Sequence, residues 1–223
     1  MCLGKAGQLQ HRIGAEIIKW GVNNYRDFPW RFTYDPYRIA VSEILLRRTR
    51  AFEVGRVYNQ IIDRYPSVQK IVSIGDDDVM LLTLGLHSRA WILREFAHQI
   101  TDIYDGIIPE DRKKLLAIPG LGDYSVSAIR VFAFRHNDPL IDANTVRIIS
   151  RINGIPYTDS LRRSRIIHEK YVEMLNLYDP VVFGYSILDF GALICGAVPK
   201  CSECPLNMEC PYSLNHLKQG NNT

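Results

Sequence analysis

The sequence has no long apolar run, no sustained alternation of apolar and polar residues, and almost no cysteine outside one short window. Unbroken apolar stretches reach only a few residues, as from Val131 to Phe134, against the roughly 18 to 20 that a membrane-crossing helix needs. Met1 to Gln10 carries no apolar core of the kind that marks a secretion signal. The chain is therefore read as intracellular and cytoplasmic, with no membrane partner. Thr/Val-rich alternation is missing, and the one Asn-Gly pair, Asn153-Gly154, ends a helical pattern, which suits a helix C-cap better than a hairpin turn. Charge of one sign is lacking too: 27 basic against 24 acidic residues leave a net +3. Global charge thus selects no partner, and any basic surface must be local. The clusters are Arg47, Arg48 and Arg50, and Arg162, Arg163 and Arg165; the bland reading of each is a solvated helix face.

What is present is helical period. Apolar residues make up 47% of the 223, enough for a sizeable core. The pattern predicts helices around 8–24, 36–49, 51–65, 67–73, 76–83, 87–104, 110–117, 123–135, 144–153, 162–176 and 181–194. Breakers such as Phe28-Pro29, Tyr65-Pro66, Pro119-Gly120, Asp138-Pro139 and Asp179-Pro180 punctuate them. The fold class is all-α. The polar segment 214–223 is expected to be a flexible tail.

Of five cysteines, four form the pattern C-x5-C-x2-C-x5-C: Cys195, Cys201, Cys204 and Cys210, with Cys2 the only other thiol. Four soft thiolates at such spacing suit zinc or an iron–sulfur cluster, and a disulfide framework does not fit an intracellular chain otherwise nearly free of cysteine. Zinc ribbons pair two C-x2-C knuckles. Here there is one, with wider gaps on both sides, which favours a single cluster wrapped by a loop. A zinc deaminase site is rejected: the proline of Pro199-Lys200-Cys201-Ser202-Glu203-Cys204 is one position early, and no H-x-E or C-x-E partner lies upstream.

Between two predicted helices stands Pro119-Gly120-Leu121-Gly122. The first glycine permits a sharp turn, Leu121 anchors it in the core, and the second glycine lets backbone approach something closely. A helix starting right after Gly122 points its N–H groups at a site suited to phosphate. Eighteen residues beyond Tyr124 comes Asp142, before Ala-Asn-Thr-Val-Arg. It reads both as a helix N-cap and as a catalytic carboxylate, and the two roles are compatible because a helix N-terminus favours an anion. Glu43, inside the apolar segment Val41 to Leu46, is either a surface partner of Arg47 or a partly buried acid of raised pKa, suited to donating a proton or clamping a polar ligand.

Pro119-Gly-Leu-Gly122, Asp142 after it and the four-cysteine loop together resemble the endonuclease III superfamily of helix-hairpin-helix DNA glycosylases, over nearly the whole chain from Phe28-Pro29-Trp30-Arg31 to Cys210. One departure is the first cysteine gap, x5 where the family usually has x6. The resemblance implies two helical lobes with a DNA-binding groove between them. One is a six-helix barrel over 26–136 with the hairpin at 118–123. The other is built from 1–25 and 137–194 and closed by a 4Fe-4S cluster loop at 195–210.

Branch-specific positions narrow this further. Lyase members carry a lysine where this chain has Tyr124, and a tyrosine cannot form the Schiff base that cleaves the strand. Adenine-specific members typically carry two glutamines before the threonine, where this chain has Arg47-Arg48-Thr49, and a serine after the hairpin; they also continue into a second domain beyond the cluster. Asp35-Pro36-Tyr37 and Ser42-Glu-Ile-Leu-Leu-Arg-Arg-Thr49 are similar to the thymine glycosylases that act on G/T mismatches. By that resemblance, Asp142, Glu43 and Tyr124 are catalytic. Arg47, Arg48, Thr49, Gly120, Leu121 and Gly122 contact DNA, and the four loop cysteines hold the cluster. The expected function is monofunctional removal of thymine, and of uracil, opposite guanine in double-stranded DNA by a nucleoid-associated monomer. The alternatives are an adenine glycosylase acting on G/A or oxidised-G/A pairs, and a non-catalytic DNA-binding module.

Overall fold

A computed structural model describes residues 5–75, 87–175 and 178–220. Among them the chain is helical, with no strand. It divides into two compact units: residues 1–26 with 137–223, and residues 27–136. No helix among the described residues is long and apolar enough to cross a membrane. The helix predicted at 76–83 lies outside the described residues.

The first unit holds α1 (Lys5–Asn23), α8 (Ala143–Ile152), α9 (Arg165–Leu175), α10 (Pro180–Leu193) and α11 (Pro211–Gly220). Its centre is α10, which is apolar on nearly every face and therefore needs neighbours all round. Phe183, Ile187 and Phe190 are fully or almost fully buried, as are Ile13 and Ile17 of α1 and Ile148 and Ile149 of α8. Each such side chain contributes about 1.5–3 kcal/mol by leaving water. The helix begins on Asp179, whose carboxylate accepts from the amides of Val181 (2.9 Å) and Val182 (3.1 Å), with Pro180 opening the first turn. One charge sits inside this core: Asp189 is wholly buried and accepts from Arg26 Nε (2.5 Å) and the Arg26 backbone N–H (3.0 Å).

The second unit runs through α2 (Pro36–Leu46), α3 (Ala51–Arg64), the short α4 (Val68–Ile71), α5 (His87–Tyr104), α6 (Arg112–Leu116) and α7 (Asp123–Phe134). Asp35 caps α2 by accepting from the Tyr37 amide at 2.9 Å. The helix then buries an almost continuous run from Ile39 to Leu45 against α3, α5 and α7.

Most helix boundaries differ from the predicted ones by one to three residues, and two of the differences lie beside basic clusters. α2 ends at Leu46 rather than 49, because Arg47 turns to extended backbone and Arg48 takes a left-handed conformation (φ 57°). The helix expected from 162 begins at Arg165, behind a 3-10 turn at Asp159–Arg163. Helix α11 runs from Pro211 to Gly220, through most of the segment 214–223. Pro211 suits its first turn, Ser213 is buried, and the Tyr212 ring lies 4.5 Å from the Arg151 guanidinium of α8. Polarity alone had hidden these tertiary anchors.

Candidate active site and cysteine loop

In the second unit, α6 and α7 flank the turn at Pro119–Gly122. Gly120 has φ 86°, where a side chain is strained, and an added Cβ would lie 2.4 Å from Ile92 Cγ2. Leu121 is buried, as an anchor requires. Gly122 is the N-cap of α7 and offers no capping side chain, yet a Cβ added there would meet nothing within 4 Å. Packing within the chain does not demand that glycine. Sequence reasoning missed the brace of this hairpin: Arg112 of α6 donates to Ser127 Oγ (3.0 Å) and Asp123 Oδ1 (3.1 Å) of α7. Tyr124, second residue of α7, is half-buried.

The basic turn after α2 joins the hairpin. Arg47 NH1 donates to the Gly120 carbonyl at 2.5 Å, so Arg47 braces the turn. Arg48 is exposed and sits at positive φ, a conformation that costs a non-glycine residue on the order of 1 kcal/mol and clusters at functional sites. Thr49 Oγ1 leans back to the Arg47 carbonyl at 3.4 Å. Glu43 is buried, with 6% of its surface exposed, so it is not a solvated surface carboxylate. The other basic cluster behaves as a solvated surface: Arg162 reaches Asp159 at 3.5 Å and Arg165 reaches Glu169 at 2.7 Å.

In the first unit, Asp142 is the N-cap of α8 and half-buried. Oδ1 accepts from the Thr145 amide at 2.7 Å, and Oδ2 accepts from Asn144 Nδ2 at 2.9 Å. Behind Asn144 a chain of bonds continues. Arg147 NH2 donates to Asn144 Oδ1 (2.7 Å) and the Gly191 carbonyl (3.0 Å), and Arg147 Nε donates to the Cys195 carbonyl (2.8 Å). The proximity of α10 makes this possible: a Cβ on Gly191 would lie 2.8 Å from Asn144 Cβ. Asp142 is thus fixed in orientation by Asn144, and Asn144 by an arginine that also holds the start of the cysteine loop. Tyr171 lies buried nearby; the Leu140 amide bonds its hydroxyl oxygen, and burial, then the Asp142 charge, pushes its phenol up. The sequence marked Asp142 and the cysteines but neither Asn144, Arg147 nor Tyr171, whose roles depend on contacts far along the chain.

Cys195 follows α10, Cys201 and Cys204 bracket a 3-10 turn, and Cys210 precedes α11; all four line one small cavity. Arg151 organises the loop, donating to the carbonyls of Gly196 (2.6 Å) and Ala197 (3.0 Å) and to Cys195 Sγ (3.4 Å). Burial raises the thiols of Cys195 and Cys210 and pushes Cys204 up to about 11. Such thiols become thiolates only beside a strongly positive centre. Among the described residues, no three Cys, His or carboxylate side chains close on a single ion. Four soft thiol donors lining one cavity are a set that an iron–sulfur group takes.

The chain belongs to the HhH-GPD superfamily of base excision DNA repair proteins, whose family pattern matches residues 41–173. It is 39% identical over 216 residues to a thymine-DNA glycosylase of Aeropyrum pernix, covering 91% of this chain and 95% of that one. It is 34% identical to a thymine/uracil-DNA glycosylase of Methanothermobacter thermautotrophicus, covering 89% and 91%. A solved thermostable thymine-DNA glycosylase superposes with a TM-score of 0.85 at 30% identity, over 95% of this chain and all of that one.

Proposed function

We propose that the chain is a monofunctional DNA glycosylase that removes thymine, and uracil, opposite guanine in double-stranded DNA, acting as a monomer. The observation that carries this reading is Asp142, a half-buried carboxylate with both oxygens held by hydrogen bonds at a helix N-terminus. The flipped base is freed by breaking its bond to the sugar C1′. Asp142 faces the positive charge that develops on the deoxyribose and orients the attacking water, whose oxygen bonds to C1′ while its proton passes to the carboxylate. Glu43, buried in α2, hydrogen-bonds the departing pyrimidine as its electron pair leaves with the base. Tyr124 packs against the flipped nucleotide and, unlike a lysine, forms no imine, so the product is an intact strand with an abasic site. The hairpin amides behind Gly122 take a phosphate. With Arg47 engaged on Gly120, Arg48 and Thr49 are the residues of that turn that enter the gap in the duplex or meet the opposite guanine. A mispaired thymine costs less to unstack than a paired one.

In this reading Cys195, Cys201, Cys204 and Cys210 hold a 4Fe-4S cluster. When bound it cross-links the loop between α10 and α11 and takes no part in the hydrolysis, since its four irons carry four protein ligands.

The test is cleavage of labelled G/T, G/U and G/A duplexes with and without hot alkali. Cutting of the T or U strand only after alkali is expected. Cutting of the A strand would move the chain to the adenine branch, and cutting without alkali would refute the role given to Tyr124. Asp142→Asn keeps the helix cap but not the charge, so it is expected to bind G/T duplex within about threefold of wild type and lose at least about a thousandfold in rate.

A further inference from the structure

The cavity lined by the four cysteines has another wall. Ser213, in the first turn of α11, lines it together with Ile194, Pro199 and Tyr212. Ser213 is 1% exposed, and its Oγ is a buried polar atom with no hydrogen-bond partner. Stranding a hydroxyl in this way costs about 1–3 kcal/mol. Its surroundings point to sulfur. The backbone N–H groups of Tyr212 and Ser213 donate to Cys210 Sγ, the Leu206 amide donates to Cys204 Sγ, and Arg151 NH1 reaches Cys195 Sγ at 3.4 Å. Three of the four cysteine sulfurs therefore receive a donor from this chain, and Ser213 adds a buried O–H to the lining of the same cavity.

We infer that the Ser213 hydroxyl donates a hydrogen bond to an inorganic sulfide of the iron–sulfur group, and so sets how readily that group is oxidised. This inference rests on the iron–sulfur reading of the cysteine loop. The physics is directional. A donor to sulfur stabilises the more negative state of a cluster over the more positive one, and potentials respond to such bonds. Removing it lowers the potential and makes oxidation easier.

The experiment uses full-length protein with Ser213→Thr, which keeps the hydroxyl, and Ser213→Val, which matches threonine in shape but has none. Iron and sulfide content and visible absorbance are measured first on the wild-type protein. Four irons per chain uphold the cofactor reading; an iron-free, folded wild-type protein ends it and this inference together. On loaded protein, the midpoint potential is then followed by mediated titration with EPR detection of the oxidised cluster. Ser213→Thr is expected at the wild-type potential. Ser213→Val should fall by an amount equivalent to a roughly tenfold shift of the redox equilibrium, about 59 mV for a one-electron couple. It should also lose its cluster to air faster. Equal potentials and equal air lifetimes in the two variants would overturn the inference while leaving the cluster in place. If valine prevents loading and threonine does not, the hydroxyl is upheld by content alone; if neither loads, the residue acts through packing and the inference fails.

Discussion

Asp142 does not stand alone, and the bonds behind it predict a measurable coupling. Asn144 donates to Asp142 Oδ2 at 2.9 Å, and Arg147 donates to Asn144 Oδ1 at 2.7 Å. A hydrogen bond to a charged group contributes about 1.5–3 kcal/mol. Asp142 is half-buried rather than enclosed, so the low end applies, and losing an orienting bond of about 1.4 kcal/mol slows the chemical step roughly tenfold. Asn144→Ala is therefore expected to lower the single-turnover excision rate on saturating G/T duplex about 10- to 100-fold, with little change in affinity. Arg147→Ala should produce a similar fall and also lower stability by about 2–3 kcal/mol, since the carbonyls of Gly191 and Cys195 lose their donor as well. If Arg147 is a positioning residue that acts on Asp142 through Asn144, the two rate effects are not additive. In the Asn144→Ala background, Arg147→Ala should cost about fivefold less in rate than it does alone, a coupling near 1 kcal/mol. Its stability effect should survive in that background. Fully additive rate losses would refute the relay and reduce Arg147 to a scaffold for the loop.

Three further predictions follow from local geometry. Arg48→Gly relieves a left-handed backbone at φ 57°, so it is expected to leave stability unchanged or raise it by up to about 1 kcal/mol in urea unfolding while weakening excision from G/T duplex; a clear loss of stability would mean that Arg48 serves the fold. Arg26→Ala removes the guanidinium from the wholly buried Asp189 and keeps the backbone N–H bond to it; it should cost about 3 kcal/mol, much of it recovered by adding Asp189→Asn, and a cost below about 1 kcal/mol would show that the pair is not holding the core. Tyr124→Lys should gain a borohydride-trappable adduct with G/U duplex, and absence of any adduct from a variant that still excises would place residue 124 away from the sugar.

The contrast between what the sequence revealed and what it hid has a physical basis. Residues bound by local rules were legible. Gly120 is read from a sharp turn between two helices, and Asp142 from its place before α8. Each is fixed by neighbours a few positions away. Glu43 was half legible: the apolar segment argued for burial, but only the packing of α2 on α3, α5 and α7 decides it against a solvated position. The residues that support the site were not legible at all. Asn144 and Arg147 look like ordinary polar positions of a helix, and their meaning comes from Gly191, 44 positions beyond Arg147. The same holds for Arg112 behind the hairpin and Ser213 behind the cysteines. The groups that perform chemistry are constrained by type, so they stand out in a sequence. Those that aim them need only the right partner in space, and any donor of suitable reach will serve. This is why the Asn144 and Arg147 cycle is a sharper trial of the site than another substitution of Asp142. An inactive Asp142 variant fits almost any reading in which that carboxylate matters, whereas coupling of the predicted sign arises only if the loop, the arginine, the asparagine and the carboxylate form one connected unit.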